Sequence, residues 1–275
     1  MKFFAALQSI LPQHHLSRGV GWLAHLEHPR WLKTLLIKLF MRSYGVSLDD
    51  AELETPDSYR HFNAFFTRAL RDDARPLATS RYVMPADGEL SQCGPVTDDA
   101  LIQAKGRYYS TAALLGADDT FSEAFKDGSF ATIYLSPSDY HRIHMPISGT
   151  LRQTRYIPGD LFAVNQATVH SVDQLFARNE RLVCRFETAD GPMALVLVGA
   201  IIVAGIETVW GGVESPRPDA IRETNWDSEH APLLACGAEV GRFFLGSTVI
   251  MLTPKTLEWA VEAGDSVQVK AALAD

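Results

Sequence analysis

Beyond about residue 80 the chain breaks into short runs rich in β-branched and aromatic residues. They lie at 130–135 (FATIYL), 181–187 (RLVCRFE), 193–206, 243–252 (FFLGSTVIML) and 267–272 (VQVKAA). Runs of this length form strands when Gly and Pro punctuate them, as they do at Pro85–Gly88, Pro146–Gly149, Pro158-Gly159 and Gly211-Gly212. The segment from Met193 to Ile206 is wholly apolar. It is shorter than the roughly 20 residues a membrane-spanning helix needs, and Gly199 and Gly205 interrupt it. It reads as one long bent strand or two consecutive buried strands.

The N-terminal part has a different period. Leu32, Leu35, Leu36, Leu39 and Phe40 recur at three and four residues, as do Phe3, Phe4, Leu7 and Leu11, so both stretches read as helical stripes. Pro12 and Pro29 divide the region into three short helices. Residues 48–75 also read as largely helical, with Phe62, Phe65, Phe66 and Leu70 as the stripe and Pro56 as a break or a start. The expectation is an α+β protein with a helical N-terminal region, 1–75, followed by a β-rich catalytic body, 76–275.

Charge separates the two parts further. The whole chain carries −8, which argues against a nucleic-acid partner. Residues 1–42 nevertheless hold Lys2, Arg18, Arg30, Lys33, Lys38 and Arg42 against Glu27 alone, a net of +5. A helical layer with solvated charges satisfies this pattern. So does an interfacial anchor, with Trp22, Trp31 and the leucines in the headgroup boundary and Lys/Arg facing anionic lipid, and the aromatic content favours the anchor. Cys93, Cys184 and Cys236 are odd in number and far apart, with no C-x-x-C pair, so neither a disulfide framework nor a zinc site is indicated.

Three short elements of the body carry polar chemistry. Pro85-Ala86-Asp87-Gly88 sets a carboxylate in a turn, which by itself is routine. The stretch Ser136–Pro146 holds His141 and His144 and reads as a loop at a strand end. Two histidines three apart could share a metal, but no third ligand stands nearby, so no metal site is expected. Leu245-Gly246-Ser247-Thr248 places a Gly-Ser step inside an otherwise apolar strand. Together they supply an acid, a histidine and a serine, the inventory of a base-activated nucleophile. That inventory also fits a serine hydrolase, although Ser247 lacks the G-x-S-x-G elbow.

In their order and wording these motifs resemble the bacterial phosphatidylserine decarboxylase proenzymes. Leu245-Gly246-Ser247-Thr248 is similar to the family's LGST self-cleavage motif, Asp139–His144 to its DYHRxH motif, and Pro85–Gly88 to its acidic motif. FNAFFTRAL (62–70), KGRYYSTAALLG (105–116) and YIPGDLFAVN (156–165) match as well, so the likeness runs from about residue 58 to the end. The resemblance implies that Asp87, His144 and Ser247 form the charge-relay set that cuts Gly246-Ser247. The products would be a large β chain, 1–246, and a small α chain, 247–275, which could pair further as a homodimer. Ser247 would become a covalent pyruvoyl group that forms a Schiff base with phosphatidylserine, and His141 would serve the decarboxylation. The resemblance also implies a peripheral location on the cytoplasmic side of the cell membrane. Arg142, Arg152 and Arg155 are candidate contacts for the headgroup phosphate.

Overall fold

A computed structural model describes residues 13–104, 106–200, 205–215, 220–227, 229–244 and 247–275, with side chains from residue 19 onward. The helices, in chain order, are α1 (Gln13–Ala24), α2 (Arg30–Tyr44), α3 (Phe62–Phe66), α4 (Thr111–Leu114), α5 (Asp119–Glu123), α6 (Gln166–Val169) and α7 (Leu175–Arg178). Strands β1 to β8 are Tyr82–Val83, Gly88–Pro95, Ala100–Ala104, Arg107–Ser110, Ser129–Leu135, Arg142–His144, Gly149–Ile157 and Arg181–Thr188. Strands β9 to β17 are Gly191–Val198, Ile206–Thr208, Gly212–Ser215, Arg222–Asn225, Leu233–Leu234, Glu239–Phe243, Ser247–Thr253, Ser266–Val267 and Ala272–Ala274. The α+β expectation holds in its coarse form, with a β-rich chain and few helices.

Two antiparallel sheets position the site. The larger has nine strands in the order β12-β7-β8-β9-β15-β5-β2-β16, with β13 also on β7; the smaller runs β11-β10-β14-β6. Central β15 is bonded to β5 and β9 on its two edges, and all seven of its residues are buried. Strand alternation sends Val249 and Met251 into one core and Ile250 and Leu252 into the other. The first core lies between the sheets, where Leu90, Ile133 and Val249 of the large sheet meet Ile143, Ile206, Val240 and Phe243 of the small one. The second lies under the short helices, where Phe130, Val196 and Ile250 meet Leu114, Phe121 and Phe176.

Several sequence expectations are refined. The apolar run 193–206 resolves as two strands, β9 and β10, in different sheets, with 201–204 outside the described residues. The run 243–252 is likewise split: β14 ends at Phe243 and β15 begins at Ser247, so the serine opens a strand at a junction between sheets instead of sitting inside one. Residues 267–272 are mostly the turn joining β16 to β17. Residues 48–75 carry only one 3-10 turn, Pro56–Ser58, and the five-residue α3. Polar turn formers such as Ser47, Asp49 and Thr55 win there through local hydrogen bonds, including the one the Asp49 amide donates to the Ser47 hydroxyl oxygen.

Pro29 does bound a helix, since α2 begins just after it, whereas Pro12 and the stripe from Phe3 to Leu11 lie outside the described residues. Helix α2 turns inward the side that carries Lys33. Lys33, Thr34 and Ile37 are buried, whereas Trp31, Leu35 and Leu39 are exposed by 68%, 44% and 52%. The Lys33 ammonium donates to the carbonyls of Asp57 (3.0 Å) and Tyr59 (2.7 Å), and Thr34 donates to the Asp57 carboxylate (2.7 Å). Lys33 is therefore a structural clamp, not one of the outward basic groups.

Candidate active site

The Ser136–Pro146 stretch is half loop and half strand. His141 is the last residue before β6, and His144 closes it. The His144 amide donates to the Pro85 carbonyl (2.8 Å), which brings the strand against the turn carrying Asp87. The Phe243 amide donates to the His141 carbonyl (3.0 Å), which brings the other histidine to the end of β14, four residues before Ser247. Ser247 pairs with Leu135 across the sheet, and Thr248, Tyr134 and Glu89 share the next row. By alternation Ser247 faces the same way as Val249, toward the small sheet that bears both histidines. Gly88, next to Asp87, has φ +147, and a Cβ there would lie 2.1 Å from the Tyr134 carbonyl oxygen, so only glycine lets β2 approach β5 this closely. Leu245 and Gly246 lie outside the described residues.

The side chains are held as follows. Asp87 is gripped by Arg75, with Nη2 2.8 Å from Oδ2 and Nε 3.3 Å from Oδ1, and it accepts the Val269 amide (2.8 Å). His144 Nδ1 lies 2.8 Å from the Gly237 carbonyl oxygen and Nε2 lies 3.0 Å from the Tyr140 hydroxyl. A carbonyl only accepts, so Nδ1 carries the proton, Nε2 carries the lone pair, and the phenol donates. Burial lowers the pKa of His144, with the Gly237 bond opposing and Lys270 assisting. The ring is thus neutral near pH 7, as a general base must be. Burial likewise pushes the Tyr140 phenol up, which keeps its proton in place.

His141 is wholly buried. Its Nδ1 lies 2.8 Å from the Asp139 carbonyl oxygen, its ring packs 4.0 Å from that of Phe66, and Nε2 has no partner. Burial pushes its pKa down to about 3. The Ser247 hydroxyl is also buried, with no hydrogen-bond partner among the described residues. Among the described residues no hydrogen bond joins any two of Asp87, His144 and Ser247; each is brought to the same junction but Asp87 and His144 are engaged elsewhere. Arg142 is taken up by Glu239 and Arg155 by Asp118 and Glu223, so two of the three candidate phosphate contacts have carboxylate partners.

Arg75, Tyr140, Phe66 and Gly237 are neighbours that spacing alone did not single out. Arg75 read as the end of a helix, and Tyr140 stood inside a quoted motif with no role of its own. A cleft of about 360 Å³ opens beside the set, lined by Arg68, Arg75, Asp87, Ser138, Asp139 and Tyr140 together with the 47–51 and 266–268 segments. The N-terminal region reaches the site directly: Phe66 packs on His141, Arg142 donates to the Thr67 carbonyl (2.9 Å), and His25 lies edge-on to Phe244 at 6.0 Å.

The described residues thus bring a buried serine hydroxyl, two buried histidines and a carboxylate to neighbouring elements, the residue types of a base-activated nucleophile. The family model described as phosphatidylserine decarboxylase matches residues 62–275, and a second, described as PSD, matches residues 3–45. A phosphatidylserine decarboxylase proenzyme of Alcanivorax borkumensis is 54% identical over 257 residues, 92% of this chain and 88% of the relative. Those of Pseudomonas fluorescens (50% over 275 residues, 98% and 95%) and Alkalilimnicola ehrlichii (54% over 252 residues, 90% and 87%) are similar. The chain belongs to the phosphatidylserine decarboxylase family and is a decarboxylase. The likeness reaches further toward the N-terminus than the motifs do, since the alignment to the Pseudomonas fluorescens protein covers nearly the whole chain.

Proposed function

We propose that this chain is a self-processing, pyruvoyl-dependent decarboxylase that converts phosphatidylserine to phosphatidylethanolamine and CO₂ at a membrane surface during phospholipid synthesis. The observation that carries it is the family match over residues 62–275 together with the unpartnered, buried Ser247 hydroxyl at the head of β15. In maturation, His144 Nε2 takes the Ser247 hydroxyl proton, and the oxygen attacks the Gly246 carbonyl to turn the amide into an ester. Removal of the Ser247 α-proton then expels the Gly246 carboxylate, giving chains 1–246 and 247–275. The apolar wall of Phe243 and Val249 supports this, because water reaching the ester early would leave serine at the new terminus.

A group derived from Ser247 fits the site, since that position already points a buried, unpartnered atom toward the intersheet core. When present, a pyruvoyl carbonyl supplies the electron sink for loss of CO₂. His141 serves the decarboxylation by exchanging a proton with the substrate, a reading supported by an Nε2 that has no partner among the described residues.

Asp87 serves maturation by supporting the charge that His144 acquires. Asp87→Asn should accumulate the precursor, read on a denaturing gel. Its buried pairing with Arg75 should also be lost, which costs about 3 kcal/mol of stability in a thermal melt, the low end for such pairs because Asp50 still holds Arg75. A fully processed Asp87→Asn chain would remove it from the set.

Residues 1–75 act as the docking region and 76–275 as the decarboxylase unit. No helix among the described residues is long and apolar enough to cross a membrane. What supports docking is the inverted α2, which buries Lys33 and Thr34 and exposes Trp31, Leu35 and Leu39, with Trp22 exposed by 69% on α1. This is the geometry of a helix whose apolar stripe meets lipid. Each such side chain placed in lipid contributes on the order of 1–3 kcal/mol. A Trp31→Ser, Leu35→Ser, Leu39→Ser variant should therefore bind anionic vesicles roughly 100-fold more weakly in a flotation assay. Equal binding would refute the docking face.

A further inference from the structure

Nε2 of His144 is the atom that must receive the Ser247 proton in the proposed maturation, and the Tyr140 hydroxyl stands on it at 3.0 Å. Resting on that reading, we infer that Tyr140 is a latch on the maturation base: its hydroxyl caps Nε2 in the resting chain and must let go before Ser247 can be deprotonated. The tautomer makes this specific. With Nδ1 committed to Gly237, Nε2 is the one basic atom of the ring, and a protonated phenol gives it a donor where the reaction needs a vacancy. Tyr140 is itself buried, yet it lines the cleft beside Asp87 and Asp139. The ring thus has an open flank on the side away from the core. It is a positioning residue, acting through His144.

The sign of the pH effect follows from the bond. A phenol O–H can donate to Nε2 only while the imidazole is neutral, so the contact favours the neutral form and holds the His144 pKa down. Burial acts the same way. The charges that face His144 are Lys270 from the turn before β17, Glu239 on β14 and Arg142 on its own strand, with Asp87 on the adjoining turn. A Tyr140→Phe change leaves all of them in place.

The full chain, freshly made by cell-free synthesis, can be followed for precursor cleavage on denaturing gels from pH 5 to 9. For Tyr140→Phe the plateau rate at high pH should rise about 2- to 10-fold, as expected when one neutral hydrogen bond no longer has to break. The midpoint of the rising limb should move up by about half a pH unit to one unit, because neutral His144 has lost a stabilising donor. A slower plateau would overturn the latch and make Tyr140 a proton relay or a packing support; so would an unmoved midpoint. Histidine 15N NMR on Ser247→Ala, with and without Tyr140→Phe, reads the same bond in a chain that cannot cut. An upward shift of the His144 titration confirms the cap, and no shift rejects it. Should the unaltered chain stay whole while that NMR shift appears, the self-cleavage reading fails and the latch fails with it, although the hydrogen bond is real.

Discussion

Replacing Ser247 with alanine is expected to leave a single 30.4 kDa chain that neither splits nor decarboxylates. The effect should be complete, because in the proposed maturation one residue supplies both the hydroxyl that starts the cut and the carbon skeleton of the reactive group. The structure also makes this variant unusually clean. The Ser247 oxygen is fully buried with no hydrogen-bond partner, so removing it strands no other polar atom. The ladder to Leu135 uses the backbone, which alanine retains. Stability should therefore change by less than about 1 kcal/mol, in either direction, for loss of an unsatisfied hydroxyl. Mass spectrometry separates the outcomes. The unaltered chain should yield a C-terminal fragment of 29 residues with a pyruvoyl terminus, and the variant should yield none. A conventional serine hydrolase would stay whole in both forms. A processed, active Ser247→Ala chain would refute the assignment of the cofactor to this residue.

What was legible in the sequence depended on whether the information was local. Strand runs such as 130–135 and 181–187 appear almost as read, because β-branched periodicity and Gly/Pro boundaries are local signals. Residues 48–75 were misread because Phe62, Phe65, Phe66 and Leu70 mimic a helical stripe. Their burial is in fact met by packing on α2 and on His141, with no helix beyond α3 required. The burial of Lys33 was not legible for a similar reason. Leucine spacing predicts which residues share a side, but only the Asp57 and Tyr59 carbonyls, more than 20 residues on, decide that Lys33 is buried there. At the site, residue types and order were readable. The partners Arg75 and Gly237 were not, since each meets its target through the antiparallel pairing of β6 with β14 or the turn at Pro85, while Tyr140, only four residues from His144, stood in the motif without a role.

His144→Ala and His141→Ala should fail at different stages. With His144 removed, the precursor should persist, its cleavage slowed by about 100- to 10,000-fold as for loss of a general base. With His141 removed, cleavage should proceed and the two chains should form, while decarboxylation falls. The environments support this division. His144 sits on the strand tied to the Asp87 turn, and its Nδ1 proton is fixed by Gly237 so that Nε2 is basic. His141 is clamped between Phe66 and the Asp139 carbonyl with Nε2 free. Burial pushes its pKa down to about 3, which constrains the role: at neutral pH the ring is uncharged and must accept a proton before it can deliver one from Nε2. Decarboxylation by the processed enzyme should accordingly show no His141-dependent limb between pH 5 and 8. A limb in that range that vanishes in His141→Gln would show that the ring gains a proton far more readily than its burial allows. Denaturing gels run beside a decarboxylation assay on each variant separate the two stages. An unprocessed His141→Ala chain that still melts cooperatively would move His141 into the maturation set, and a processed His144→Ala chain would take His144 out of it.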